Sequence, residues 1–215
     1  MSIFSIIYKI VIIIIGAFAV LNGFFYGSNF TNIKLDIETA YYFTYQSNIL
    51  VIVYFILDIF NIIKKKETFY PRFKGAVTMS ITVTFLVYHF LLSPTSGKLE
   101  GIDYIRNIIL HYILPIMTIF DYIIFDKKGI YKIIDPILWL IIPLLYFVFV
   151  LVRARIGSPF SDGSYYPYFF VDIDKYGLKT VLRNVFFITL FFALLGYIEY
   201  FIDRLFNKLY GKHNK

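Results

Sequence analysis

Residues 104–125 read YIRNIILHYILPIMTIFDYIIF. The run is long enough to cross a bilayer, for which about 20 apolar residues suffice. It nevertheless keeps Arg106, Asn107, His111, Thr118 and Asp121. Polar side chains are expensive in hydrocarbon, so a membrane helix that carries several turns them toward partners or a cavity. Asn107, His111, Pro115, Thr118 and Tyr122 follow steps of three or four and share one helical face, with His111 at its centre.

The rest of the chain has the same character. Of 215 residues, 59% are hydrophobic and 16% charged, and the mean hydropathy is +0.71. A soluble domain of this length needs more polar surface. Further apolar runs lie near 3–26, 41–63, 75–93, 136–152 and 180–203. In lipid a backbone must bond to itself, so such runs are helices. The expected fold is therefore all-α, a polytopic six-transmembrane-helix bundle forming a single integral membrane domain over 1–215. Residues 3–26 read as a first span and not as a cleavable signal peptide, because the apolar run is too long and lacks a small-residue cleavage site.

Lys and Arg set the orientation. Thirteen of them, from Lys9 through the 64–74 and 127–132 loops to the C-terminal tail, fall on one side, and six fall on the other. The positive-inside rule then puts both termini in the cytoplasm and the spans in a cell membrane. The net charge of +7 lies mostly beside the spans, where anionic lipid accounts for it, so a nucleic-acid partner is not expected. The membrane lipid itself is the expected partner. No cysteine is present, which excludes disulfides, thiolate metal sites and a cysteine nucleophile. His89, His111 and His213 are too scattered for a metal centre, and no cofactor fingerprint appears, so neither metal nor cofactor is expected. The abundance of Ile, Phe, Tyr, Lys and Asn points to an AT-rich bacterial genome. Asn29-Phe30-Thr31 matches a glycosylation acceptor, a tripeptide common by chance and without meaning in a bacterium.

The second span opens YYFTYQSNILV, and Thr44, Ser47, Asn48 and Val51 share a face at its outer end. Small polar residues there serve either helix packing or a site. Lower down, Asp58 and Asn61 are expected to meet water or the lysines that follow. In the third span, Thr78, Ser80 and Thr82 indicate close packing, and His89 reads as a packing or interfacial histidine. In the fourth, His111 lies about 10 Å below the outer surface by helix rise. Pro115 has no N–H, which frees the His111 carbonyl and invites a kink. Asp121 and Asp126 read as inner-face groups. The fifth span begins at Pro136 with Pro143 in its middle, and ends in Arg153 and Arg155. That arginine pair either snorkels to the headgroups or clamps an anion. The connection 153–179 contains YYPYFFV, too apolar for a free loop, and is expected to fold back as an interfacial or re-entrant segment. In the sixth span, Glu199 and Asp203 would repel each other unless solvated.

Sorted by depth, Asn22, Thr44, Ser47, Asn48, His89, Arg106, Asn107, His111, Arg153, Arg155, Arg183 and Asn184 all fall in the outer half, and all six spans contribute. Short loops make sequential helices neighbours, so a bundle could aim these groups at one outward-facing pocket with apolar walls suited to an acyl chain.

Tyr42-Phe43-Thr44, His111-x-x-x-Pro115 and Tyr166-Pro167 resemble the androgen-induced, androgen-dependent family of six-helix membrane proteins. Thr44-x-Gln46-Ser47-Asn48, with His111-x-x-x-Pro115 and Asp121, looks more like its bacterial proline-containing relatives, which have no assigned function. In the animal members the proline stands one residue further from the histidine. The resemblance implies hydrolysis of fatty-acid esters of hydroxy fatty acids, with Thr44 as nucleophile and His111 as base. A threonine hydroxyl needs a base within hydrogen-bond reach, and neutral histidine can serve. Asn48, Asn107 or Arg153 could stabilise the oxyanion. Asp172 could orient His111 if 153–179 folds inward. Ser47, Asn48, His89, Arg106, Asn107, Arg153, Arg155 and Asp172 are thus the expected substrate-binding set around Thr44 and His111. Two other readings compete: a non-catalytic carrier or receptor for an anionic lipid or small acid held by Arg106, Arg153 and Arg155, and a structural protein whose polar groups only pack.

Overall fold

The computed structural model describes residues 3–26, 34–65, 67–95 and 97–210. Asn29-Phe30-Thr31 and His213 lie outside them. Among the described residues, six helices are long and apolar enough to cross a membrane: Ile3–Phe24, Phe43–Lys64, Pro71–Leu92, Gly101–Phe125, Asp135–Ile156 and Leu178–Leu209. All six expected spans are present, the last extended by nearly two turns at its C-terminal end. The chain, read from sequence as one domain, divides into two compact units, Met1–Ile130 and Tyr131–Lys215.

The first unit holds four spans. These are α1 (Ile3–Phe24), α2 (Phe43–Lys65), α3 (Pro71–Val87), and a fourth built from α4 (Gly101–Ile108) and α5 (Leu114–Phe125). α1 packs on α2, α2 on α3, α3 on α5, and α5 back on α1, so the spans close a ring in sequence order. This closure is why the unit is compact by itself. Ile12, Val51, Phe55, Val77, Ile81, Leu110 and Leu114 fill its core. Close approach of α1 depends on two glycines. A Cβ at Gly16 would stand 3.1 Å from Ile52 and 3.2 Å from Leu114, and one at Gly23 would enter the Tyr45 ring.

α3 is the most deeply buried span. Its hydroxyls are absorbed by the helix itself: Thr78, Ser80, Thr82 and Thr84 each donate to the carbonyl four residues back. This satisfies groups that lipid cannot. α3 then widens into a π-helical turn, Tyr88–Leu92, where the Ser93 N–H reaches the Tyr88 carbonyl. The fourth span does the same over Ile109–Ile113, where the Leu114 N–H donates to the Ile109 carbonyl five residues back. Pro115 follows directly. Its ring would crowd an ordinary turn, and the wider one gives it room. The kink expected at Pro115 is therefore a π-bulge carrying His111.

Away from the Thr44 end, the expectations for several charges are overturned. Lys9 and Lys74, counted from sequence as boundary charges, are fully buried, as are Asp58 and Asp121. Lys9 Nζ lies 2.7 Å from both Asp121 carboxylate oxygens and 3.2 Å from Asp58 Oδ2. Lys74 pairs with Asp121 and stands 2.6 Å from Asp126 Oδ2. Both ammonium groups also lie over the Phe55 ring, at 5.1 and 5.4 Å. Asp58 does not turn to water, because its Oδ1 accepts the Phe69 N–H at 2.7 Å. Five ionised-type side chains from all four spans thus form one buried chain. A charge in a low-dielectric interior is tolerated when paired in this way.

The second unit holds α6 (Asp135–Trp139), α7 (Ile141–Ile156), α8 (Ile173–Tyr176) and α9 (Leu178–Tyr210). Pro136 opens α6, where a missing N–H costs nothing. α6 ends at Trp139, four residues before Pro143, which cannot donate to the Trp139 carbonyl. The stretch 157–177 does not stand free. Tyr166 and Val171 pack with Val150 of α7 and Val181 of α9, and Asn184 donates to the Phe170 carbonyl. Asp203, expected to need solvent beside Glu199, is instead buried and accepts the Tyr131 N–H at 3.2 Å. That bond replaces the solvation it would otherwise require.

Candidate functional site

Thr44 and His111 meet. Thr44 stands at the start of α2, and the π-bulge of the fourth span carries His111 to it. Thr44 Oγ1 and His111 Nε2 are 3.2 Å apart, and both side chains are buried. His111 Nδ1 lies 3.0 Å from the carbonyl oxygen of Asn107. A carbonyl can only accept, so Nδ1 carries the hydrogen and Nε2 is left with its lone pair facing the threonine hydroxyl. This is the tautomer a general base requires. The backbone carbonyl thereby takes the orienting role for which Asp172 was considered. In its own unit Asp172 caps α8, accepting the Lys175 N–H at 2.9 Å.

The imidazole is clamped from the side as well. Tyr88, at the head of the π-turn in the third span, stacks on it with ring centroids 3.7 Å apart and planes 19° apart. Asn107 Nδ2 donates to the Tyr88 hydroxyl at 2.6 Å, so residue 107 fixes His111 through its carbonyl and Tyr88 through its amide. Both π-turns thus meet at this point. Tyr88 was not among the residues expected from sequence. A tyrosine at the end of an apolar span reads as an interfacial aromatic, and only the fold shows it stacked.

Ser47 and Asn48 are in place beside Thr44 but are occupied. Ser47 Oγ is 2.7 Å from Thr84 Oγ1 and 3.1 Å from the Thr44 carbonyl. Asn48 Nδ2 spans two helices, donating to the carbonyls of Thr44 at 2.7 Å and Leu110 at 3.2 Å. Asn48 was expected as an oxyanion donor, but both its N–H groups are spent on the backbone. Its Oδ1 is buried with no hydrogen-bond partner. Arg106 lies nearer the end of the bundle, where Nη1 donates to Asn22 Oδ1 at 3.0 Å and Nη2 pairs with Asp103 at 2.8 Å. His89 is exposed and meets the Tyr112 hydroxyl at 3.2 Å.

The remaining expected residues belong to the second unit. Arg153 is buried, donates to the Tyr165 carbonyl at 3.0 Å and stacks on the Phe160 ring at 3.9 Å. Those contacts fasten the 157–166 turn to α7. Arg155 is exposed.

The class of molecule is thus a multi-pass α-helical membrane protein with a buried Thr–His pair in its four-span unit. No family model, curated protein or solved structure matches the chain.

Proposed function

We propose that this protein is an intramembrane hydrolase of lipid esters, with fatty-acid esters as the substrate class. The carrying observation is the buried Thr44–His111 hydrogen bond with the histidine held in its base tautomer. In this reading Thr44 Oγ attacks the ester carbonyl carbon while His111 Nε2 takes the hydroxyl proton. The tetrahedral intermediate collapses, the ester C–O bond breaks, and the leaving alcohol receives that proton from His111. Water then attacks the acyl-threonine with His111 again as base, releasing the fatty acid and restoring the hydroxyl.

Tyr88 supplies the oxyanion donor. Its oxygen already accepts from Asn107, so its own hydrogen remains to be given. Asn48 Oδ1, one helical turn from Thr44, is an acceptor suited to the water or the alcohol. The resemblance of Tyr42-Phe43-Thr44 and His111-x-x-x-Pro115 to the androgen-induced, androgen-dependent family supports the same assignment. The Lys and Arg bias supports a reading with both termini in the cytoplasm and the pair in the outer leaflet, where membrane lipid is the substrate source. An anionic-ligand carrier is less well supported, because Arg106 and Arg153 already have partners.

The test is turnover of a long-chain ester by purified protein, alongside a fluorophosphonate probe mapped by mass spectrometry. Hydrolysis should disappear in Thr44→Ala and in His111→Ala, and the probe should land on Thr44. Wild-type turnover by either variant, or labelling elsewhere only, would end the proposal.

A further inference from the structure

The Lys9–Asp58–Asp121–Lys74–Asp126 chain lies far from the proposed chemistry. Thr44 and Asp58 are fourteen residues apart on α2, or about 20 Å along a helix. Within the buried chain three carboxylates face two ammonium groups, an excess of one negative charge if every acid is ionised; the next cation, Lys128, is only part-buried and bonds to the Tyr122 and Asp126 backbone carbonyls. An uncompensated charge buried in a membrane protein is very costly. The contacts show which acid differs. Asp121 receives Lys9 on both oxygens and Lys74 on one. Asp58 has the Phe69 N–H on Oδ1; its Oδ2 is also buried without a hydrogen bond, but the Lys9 ammonium stands 3.2 Å from it. Asp126 has Lys74 on Oδ2, but its Oδ1 is buried without a hydrogen-bond partner. The Asp126 side chain is only 6% exposed.

We infer that this cluster is a proton-binding site, with the excess charge neutralised by one exchangeable proton on Asp126 Oδ1. A metal cation is disfavoured because two ammonium groups already fill the spaces between the carboxylates. The titratable and charged groups around Asp126 are Lys74 from α3, Asp121 from α5, Lys9 from α1 and Tyr54 from α2, with Lys128 donating to its backbone carbonyl at 3.0 Å. Burial pushes the Asp126 carboxyl above the ordinary carboxylate range, and Lys74 pulls the other way. When the proton is held, the four spans are joined by a neutral network. When it leaves, the same network carries a net negative charge. A group whose folded-state pKa is raised lends its stability at low pH and withdraws it as pH rises through that value.

The experiment is an infrared pH titration of the full-length protein in phosphatidylcholine nanodiscs, with thermal unfolding followed in parallel. At neutral pH the wild type should show the carbonyl stretch of a protonated carboxylic acid. The band should titrate away at alkaline pH as the melting temperature falls. It should vanish in Asp126→Asn and shift, without vanishing, in Asp126→Glu, which identifies the acid even if the asparagine variant does not fold. A wild type without the band at neutral pH would overturn the inference. So would a band left unmoved by both substitutions, or sodium raising the melting temperature of a protein that has no band.

Discussion

The two ends of the four-span unit bury polar chemistry in different ways. Near Thr44 the groups are neutral: a hydroxyl, an imidazole, a phenol and two amides, each held by one or two hydrogen bonds. Near Asp121 the groups are charged and interlocked, and each ammonium touches two carboxylates. Neutral groups with a spare lone pair or hydrogen can exchange a water or an ester for a protein contact at modest cost. Charges in low dielectric cannot, because removing one strands another. The first arrangement suits a site that turns over, and the second suits a fixed joint whose only mobile component is a proton.

That contrast is broken most severely at Lys9. By hydropathy alone, Lys9→Met should improve α1 as a membrane span. By the network, it strips Asp58 of its cation and should destabilise the unit by about 3–5 kcal/mol, measurable as denaturant or thermal unfolding in nanodiscs. Combining it with Asp58→Leu should recover much of the loss, since a buried pair can be replaced by apolar groups at little cost. A stable Lys9→Met single variant would show that the cluster holds nothing together.

The Thr44 end should respond the opposite way. His111→Ala should lower ester turnover by about 10²–10⁴-fold, the usual worth of a positioned base. Its cost in stability should stay below that of Lys9→Met, because it leaves a cavity and two unmet hydrogen bonds but no unpaired charge. Tyr88→Phe keeps the stacked ring and removes only the hydroxyl. It should lower kcat by about 10²–10³-fold if that hydroxyl faces the oxyanion, with KM nearly unchanged. A loss confined to KM would make Tyr88 a wall of the pocket and nothing more.

How far the sequence reveals these two ends differs for a physical reason. The spans were legible because length and apolarity are local properties. The Thr44 face was legible because Thr44, Ser47, Asn48 and Val51 recur at helical spacing, and all four are buried in the fold. Asn107 was legible on the His111 face, but Tyr88 was not, since it reaches His111 where two π-turns shift helical phase, and spacing rules assume a constant one. The charge cluster was visible as residues and misread as topology. Lys9 and Lys74 were counted toward the positive-inside bias, although lysines flanked by apolar residues inside helices are themselves a sign of buried partners. Their opposite charges lay on other spans, at sequence separations of 47 and 112 residues from Asp121.

The mildest perturbation separates the hydrolase from the carrier. Arg106 is partly exposed, bonded to Asn22 and paired with an Asp103 that is itself half in solvent. Such a pair contributes less than about 1 kcal/mol, so Arg106→Gln should barely move the unfolding midpoint. With an uncharged ester as the assay substrate the guanidinium has nothing to neutralise, so kcat and KM should stay near wild type. A carrier for an anionic lipid would behave otherwise, because loss of the guanidinium removes a charge-assisted contact to the headgroup. Binding of a labelled anionic lipid that collapses in Arg106→Gln while persisting in Thr44→Ala would move the working end of this bundle from the Thr–His pair to its rim.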